Sequence, residues 1–164
     1  MSCRSFRTIL AVCLLVSPVC ISARLKAQTA RKTSPAQSRA TIPAADRLEP
    51  SSLAAMLKRS DKPVILQVGS HVLYAEAHIP GSEYVGAAGS SDGLAALRKR
   101  AATLKKSQPI VIYCGCCPWR HCPNIRPAYK QLKALGFRNV KALYIPDNFG
   151  TDWVNRGYPV AHGN

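Results

Sequence analysis

The chain has 164 residues, 47% of them hydrophobic, and carries 23 Lys and Arg against 8 Asp and Glu. This length accommodates one domain of ordinary size, and the apolar content excludes a wholly disordered chain. The net charge of +15 is typical of nucleic-acid-binding proteins, but residues 1–47 hold eight of the basic residues and only one acidic residue. Because no segment combines clustered basic residues with interleaved aromatic ones, we expect no nucleic-acid partner.

Residues 1–23 have the pattern of a signal peptide. Arg4 and Arg7 precede an apolar run of about fourteen residues, whereas a helix that spans a bilayer needs about 20. Small residues offer cleavage points near residue 23 and as far along as residue 30. We therefore predict export to a bacterial periplasm, or secretion, with no stable membrane span in the mature protein. An uncleaved N-terminal membrane anchor is the alternative.

The next segment, residues 24–47, is composed mainly of Ala, Ser, Thr, Gln, Pro and basic residues and has no apolar period. This composition predicts a basic disordered linker. The folded domain is then expected to occupy residues 48–164.

Helical and strand patterns alternate along this domain. In chain order we predict a helix at 51–59, a strand at 63–68, a helix at 72–77, a strand at 83–85, a helix at 92–104, a strand at 109–113, a helix at 124–135, a strand at 139–144 and a helix at 151–156. Ser51 or Ser52, Asp92 and Asn124 are the expected N-caps of three of these helices. Strands separated by helices indicate an α/β fold, with a central parallel sheet covered by helices on both faces.

Four of the seven cysteines lie within nine residues of one another, directly after the predicted strand at 109–113. They are Cys114, Cys116, Cys117 and Cys122. Four thiols so close in sequence close no long loop, so they indicate a local chemical site rather than a disulfide framework. Cys114 is the first residue after the strand, where ligands of parallel sheets bind beside helix N-termini. Backbone N–H groups and the helix dipole there would lower the pKa of Cys114 and make it a nucleophile.

The same loop carries positive charge. Arg120 and His121 lie within it, and Arg126 follows in the first turn of the next helix. Together with the loop residues Gly115, Cys116 and Cys117, these side chains predict a cradle for a small anionic substrate beside Cys114.

Four segments of the domain resemble rhodanese-like domains. YAEAHIPGS at 74–82 is similar to the family's Y-x-x-G-H-I-P-G-A, and PIVIYC at 109–114 is similar to the strand that carries the family's catalytic cysteine. LKALGFRNV at 132–140 and WVNRGYPV at 153–160 resemble two later signatures of the family. The resemblance covers residues 48–161 in the family's order.

This resemblance implies a rhodanese-like α/β fold and sulfur transfer. In that chemistry Cys114 would form a persulfide from a small anionic sulfane sulfur donor such as thiosulfate. The sulfur would then pass to a thiol or cyanide-type acceptor. We expect no cofactor and assign no metal ligand.

The sequence also departs from the family's pattern. In the first strand the family reads L-[DL]-V-R, and Gln67 and Gly69 stand at the Asp and Arg positions. The active loop is several residues longer than the family's C-x-x-G-x-R-S, and Trp119 is expected to cap it.

Other functions fit the same loop. Cys114 and Cys117 form a C-x-x-C pair, which suits thiol–disulfide exchange with Cys117 or Cys122 as the resolving thiol. The four thiols with His121 suit Zn or Cu(I), although their spacing is not the paired pattern of zinc sites. The spacing of Cys114 and Arg120 is that of cysteine phosphatases and rhodanese-related arsenate reductases. A non-catalytic sulfur carrier is a further alternative.

Overall fold

The central sheet consists of parallel strands only, in the part of the chain that the structure describes. The computed structural model describes residues 41–163. Its strands are β1 (Arg47–Leu48), β2 (Val64–Gln67), β3 (Ser82–Tyr84), β4 (Ile110–Tyr113) and β5 (Val140–Leu143). Their order across the sheet is β1-β5-β4-β2-β3, so β4 is the middle strand. The α/β fold predicted from the sequence is confirmed.

Helices cover both faces of this sheet. They are α1 (Pro50–Met56), α2 (His71–Glu76), α3 (Ser91–Ala101), α4 (Ile125–Ala134) and α5 (Phe149–Asp152), with 3-10 turns at Ala44–Asp46, Trp119–His121 and Val154–Arg156. On one face Leu97 of α3 and Leu132 of α4 pack with Ile112 of β4. On the other face Leu53 of α1 and Trp153 pack with Val111 of β4. Adjacent residues of β4 therefore enter opposite cores, as the alternation of side chains along a strand requires.

The helix starts differ from those expected. The N-cap of α1 is Glu49, so Ser51 and Ser52 lie inside the helix, because Pro50 occupies its first turn, where a missing N–H costs nothing. The α3 cap is Ser90, whose hydroxyl accepts from the N–H of Gly93 at 3.1 Å. Asn124 does stand at the N-cap of α4, but its side chain makes no capping hydrogen bond.

Residues 41–47, which the sequence assigned to the linker, pack on the domain. Ile42 is buried, and Arg47–Leu48 forms the edge strand beside β5. A lone apolar residue and a two-residue strand are too short to produce a period in the sequence. The predicted signal peptide at 1–23 and the rest of the predicted linker, 24–40, lie outside the described residues. No helix described for residues 41–163 is long and apolar enough to cross a bilayer.

Gly93 in the first turn of α3 offers a test of this packing. A Cβ at residue 93 would lie 2.0 Å from the carbonyl oxygen of Ala87. Alanine normally stabilises a helix by about 1 kcal/mol relative to glycine, but here no rotamer relieves the clash with backbone. We expect Gly93→Ala to lower the free energy of unfolding by about 1–3 kcal/mol in urea denaturation.

The matched control is Lys99→Ala, at an exposed position of the same helix. It should change the free energy of unfolding by less than about 0.5 kcal/mol. A Gly93→Ala protein as stable as the wild type would contradict the packing of α3.

Candidate active site

The cysteine loop begins where β4 leaves the centre of the sheet. Cys114 follows Tyr113 directly and is buried, with 6% of its surface exposed. Gly115 then takes a φ of 74°, in the left-handed region that favours glycine. Its carbonyl accepts from the N–H of Phe149 at 2.9 Å, and a Cβ at 115 would lie 2.7 Å from the Phe149 Cβ. The first turn of the loop is thus fixed against the start of α5.

The end of β2 holds Cys114 from the other side. The buried side chain of Gln67 accepts from the N–H of Gly69 at 3.0 Å and donates to the carbonyl of Cys114 at 3.3 Å. A Cβ at residue 69 would lie 2.7 Å from the Cys114 Sγ. The two residues that depart from the rhodanese pattern therefore have structural roles: Gln67 joins the ends of two strands, and Gly69 leaves room for the sulfur.

The sulfurs of the loop gather at the end of β4. The Sγ atoms of Cys114 and Cys116 are 3.0 Å apart, and those of Cys114, Cys116 and Cys122 all lie within 4.8 Å of one another. The Cys117 Sγ contacts the Cys116 Sγ at 3.5 Å. All four cysteines are free thiols. The structure thus brings the four predicted cysteines together, but Cys116, rather than the C-x-x-C partner Cys117, makes the 3.0 Å contact with Cys114.

Asn124 belongs to this site, although the sequence indicated only a helix cap. Its Oδ1 accepts from the N–H of Gly89 at 2.7 Å. Its Nδ2 donates to the Cys114 Sγ at 3.3 Å and approaches the Cys116 Sγ at 3.8 Å. A donor aimed at two sulfurs in a buried site favours their ionised forms. The sequence carried no signal for this role beyond the position of Asn124 two residues after the last cysteine.

The pKa differs among the thiols of the cluster. The neighbouring Cys114 thiol, with the backbone N–H groups of Ile125 and Asn124, lowers the pKa of Cys122 to about 6. The same interaction, together with burial, raises the pKa of Cys114 well above its usual value. Burial also raises the pKa of Cys117, to about 12.

This distribution corrects one expectation from the sequence, which assigned the lowered pKa to Cys114. The long loop places Cys122, rather than Cys114, against the first N–H groups of α4.

The basic side chains predicted to bind an anion do not border the cavity at Cys114. Arg120 and His121 are exposed on their 3-10 turn. Arg126 donates from Nη2 to the carbonyl of Arg120 at 3.2 Å and so braces the outer side of the loop. The three basic side chains thus do not line the open cavity together with Cys114, as the sequence had indicated.

An open cavity of about 450 Å³ leads to Cys114 and Cys116. Phe149 and Tyr113 form part of its wall, and Leu73 and Val154 line it as partly exposed apolar residues. Within residues 41–163, Glu76 is the one charged residue that lines it. The cavity has the size of a small-molecule site.

A second cavity, of about 10 Å³, lies among Cys114, Cys117 and Cys122. Trp119 lines this small cavity, not the open one that the sequence expected it to cap, and packs edge-on against Tyr144 with ring centroids 5.2 Å apart. A volume of this size holds about one atom-sized ligand. Cys114 borders both cavities.

The fold is an α/β domain in which a cysteine follows the middle strand at its carboxyl end and lines an open cavity. Residues 49–144 match the rhodanese-like domain family, so the chain belongs to that family. The family resemblance noted in the sequence is thereby confirmed. A search of curated proteins finds no match.

Solved structures with the same fold include three informative relatives. The Alr3790 protein from Anabaena sp. is 20% identical, with a TM-score of 0.56, over 71% of this chain and 92% of that one. A thiosulfate sulfurtransferase from Pseudomonas aeruginosa is 23% identical, with a TM-score of 0.51, over 72% and 19%. A variant of EanB that carries a cysteine persulfide, solved with ergothioneine, is 22% identical, with a TM-score of 0.54, over 71% and 28%. At these identities the similarity shows the fold.

The role of Asn124 can be tested with a nearly isosteric variant. In Asn124→Asp a carboxylate oxygen still accepts from the N–H of Gly89. The amide group that donates to the sulfurs is replaced by a second carboxylate oxygen, which disfavours negative charge on the sulfurs. We expect the rate of cysteine alkylation by iodoacetamide at pH 7 to fall about tenfold, the effect of a pKa rise of roughly one unit. Mass spectrometry of the labelled peptides assigns the rate to each cysteine.

Asn155→Asp, at an exposed position, is the control and should react like the wild type. Unchanged alkylation of the Asn124→Asp loop would mean that the amide does not act on the sulfurs.

Proposed function

We propose that this rhodanese-like domain transfers sulfane sulfur through a persulfide on Cys114. The observation that carries the proposal is the position of the Cys114 Sγ, which borders both the open cavity and the atom-sized cavity. A donor can approach from the open side, and the structure leaves room beside the same sulfur for one further atom. The sulfurtransferase and the persulfide-bearing protein among the relatives support this chemistry.

In the loading step, the Cys114 sulfur attacks the outer sulfur of a donor such as thiosulfate. The sulfur–sulfur bond of the donor breaks, and sulfite leaves with the bonding electron pair. The proton of Cys114 leaves as its sulfur attacks, and the Cys122 sulfur, within 4.8 Å of the Cys114 Sγ, is a nearby acceptor for it. In the transfer step, a thiolate or cyanide attacks the outer sulfur of the persulfide and releases Cys114 as a thiolate.

Two neutral donors point to the Cys114 sulfur and offset part of the interactions that raise its pKa. The amide of Asn124 donates to the Cys114 Sγ at 3.3 Å, and the backbone N–H of Cys116 points to the same atom. These groups are neutral hydrogen-bond donors. They stand in place of the basic side chains that the sequence indicated for binding the anionic sulfur compound.

Thiol–disulfide exchange is the second candidate, and one observation favours it. The 3.0 Å separation of the Cys114 and Cys116 sulfurs is a contact from which a disulfide forms with little movement. The resolving thiol would then be Cys116, rather than the Cys117 or Cys122 that the sequence indicated.

We also propose that the protein is exported, because residues 1–23 have the pattern of a signal peptide. An oxidising compartment is where a disulfide between Cys114 and Cys116 would persist.

Sulfur transfer is tested on the purified, reduced full chain with thiosulfate and cyanide. We expect the wild type to gain the mass of one sulfur atom and to form thiocyanate. Cys114→Ser should do neither, because a hydroxyl stays protonated and attacks sulfur poorly. The matched control is Cys117→Ser, which should keep both properties within a few-fold, because Cys117 borders the atom-sized cavity but not the open cavity from which the donor approaches.

The other outcomes separate the alternatives. A stable gain of sulfur without thiocyanate would make the protein a carrier. Insulin reduction that disappears in Cys116→Ser, with no gain of sulfur in any variant, would replace sulfur transfer by thiol–disulfide exchange.

A further inference from the structure

Three sulfurs of the cysteine loop lie as close together as the ligands of one metal ion. The Sγ atoms of Cys114, Cys116 and Cys122 are all within 4.8 Å of one another. Sulfurs that share an ion at about 2.3 Å lie roughly 4 Å apart, so the Cys114 and Cys116 sulfurs, now 3.0 Å apart, separate slightly as an ion enters. These residues come from the start, the middle and the end of the loop, so the fold of the loop rather than their spacing in sequence brings them together.

The chemistry of the three ligands determines which metal ion the site favours. The ligand set consists of three thiols, and among residues 41–163 no histidine or carboxylate joins it. His121, the one histidine of the loop, is exposed. Structural zinc sites have four ligands in a tetrahedron, whereas soft sulfur ligands favour Cu(I), which accepts three. We propose that Cys114, Cys116 and Cys122 form a three-coordinate site for monovalent copper.

The surroundings of the three sulfurs are built for a buried soft ion. Cys114 and Cys122 are 6% and 5% exposed, and Cys116 is half-buried beside them. The buried apolar side chain of Ile125 lies beside Cys114 and Cys122. On the other side, the amide of Asn124 fixes the Cys114 sulfur, as outer partners fix the ligands of metal sites.

Binding exchanges protons for metal. Each thiol that is not already ionised releases its proton as its sulfur bonds to Cu(I), and the ion stays monovalent throughout. Copper binding does not depend on the proposed sulfur transfer. If both occur, they exclude each other, because both use the Cys114 sulfur.

The test is an anaerobic titration of the reduced full chain with Cu(I) in the presence of bathocuproine disulfonate, a coloured Cu(I) chelator. We expect one copper per chain. Loss of a residue that only supports a metal ligand weakens metal binding roughly 10–100-fold. Cys116→Ser and Cys122→Ser each remove a ligand, so each should weaken copper binding by more than that. Cys117→Ser, which removes a neighbouring thiol outside the set, is the matched control and should bind within about threefold of the wild type.

X-ray absorption of the copper-loaded wild type gives a second readout that does not need the variants to fold. Three sulfur ligands without nitrogen or oxygen would agree with the site. A spectrum with two or four sulfur ligands would overturn the proposed copper site. Copper binding that requires Cys117, or tighter binding of Zn(II) than of Cu(I), would overturn it as well. Sulfur loading is assayed on the metal-free protein, so its failure and the failure of copper binding are separate results.

Discussion

The hydrogen bonds of the Asn124 side chain hold the site together. They join the loop after β3, through the N–H of Gly89, to the sulfur of Cys114 at the end of β4. In a buried site both groups of this amide must be satisfied, since an unpaired one costs about 1–3 kcal/mol. The amide therefore fixes where the sulfur lies relative to the start of α4. The positions of Cys116 and Cys122 around Cys114 depend on that arrangement.

The long loop separates two properties that a reactive cysteine usually combines. The Cys114 thiol and the N–H groups at the start of α4 lower the pKa of Cys122, whereas Cys114 lines the open cavity. The sulfur with the lowered pKa thus lies within 4.8 Å of the sulfur that borders the cavity. The basic residues of the loop lie outside that cavity.

The sheet and its helices could be predicted because apolar residues recur along the sequence of each element in a recognisable pattern. Ile110–Tyr113 is an uninterrupted apolar run, and the apolar residues of α4 recur on one face, so their partners in the core follow from their period. The location of Cys114 at the end of a central strand followed from the same reasoning. The edge strand Arg47–Leu48 was missed because two residues show no period.

The interior of the loop could not be predicted in this way. In irregular backbone the direction of each side chain depends on individual dihedral angles, such as the positive φ of Gly115, and not on spacing. The sequence therefore indicated the set of cysteines but not that Cys116 contacts Cys114, nor that Arg126 binds the carbonyl of Arg120. Asn124 is equally good as a helix cap and as a donor to sulfur, and only the tertiary structure distinguishes these roles.

The central claim is that the loop presents Cys114, among four neighbouring thiols, as the sulfur that reacts. A crystal structure of the full chain, determined after reaction with one equivalent of a sulfane sulfur donor, tests it most directly. We expect one additional sulfur atom bonded to the Cys114 Sγ, with the other three thiols unmodified. Additional sulfur on Cys116 or Cys122, or a disulfide between Cys114 and Cys116 without added sulfur, would contradict it.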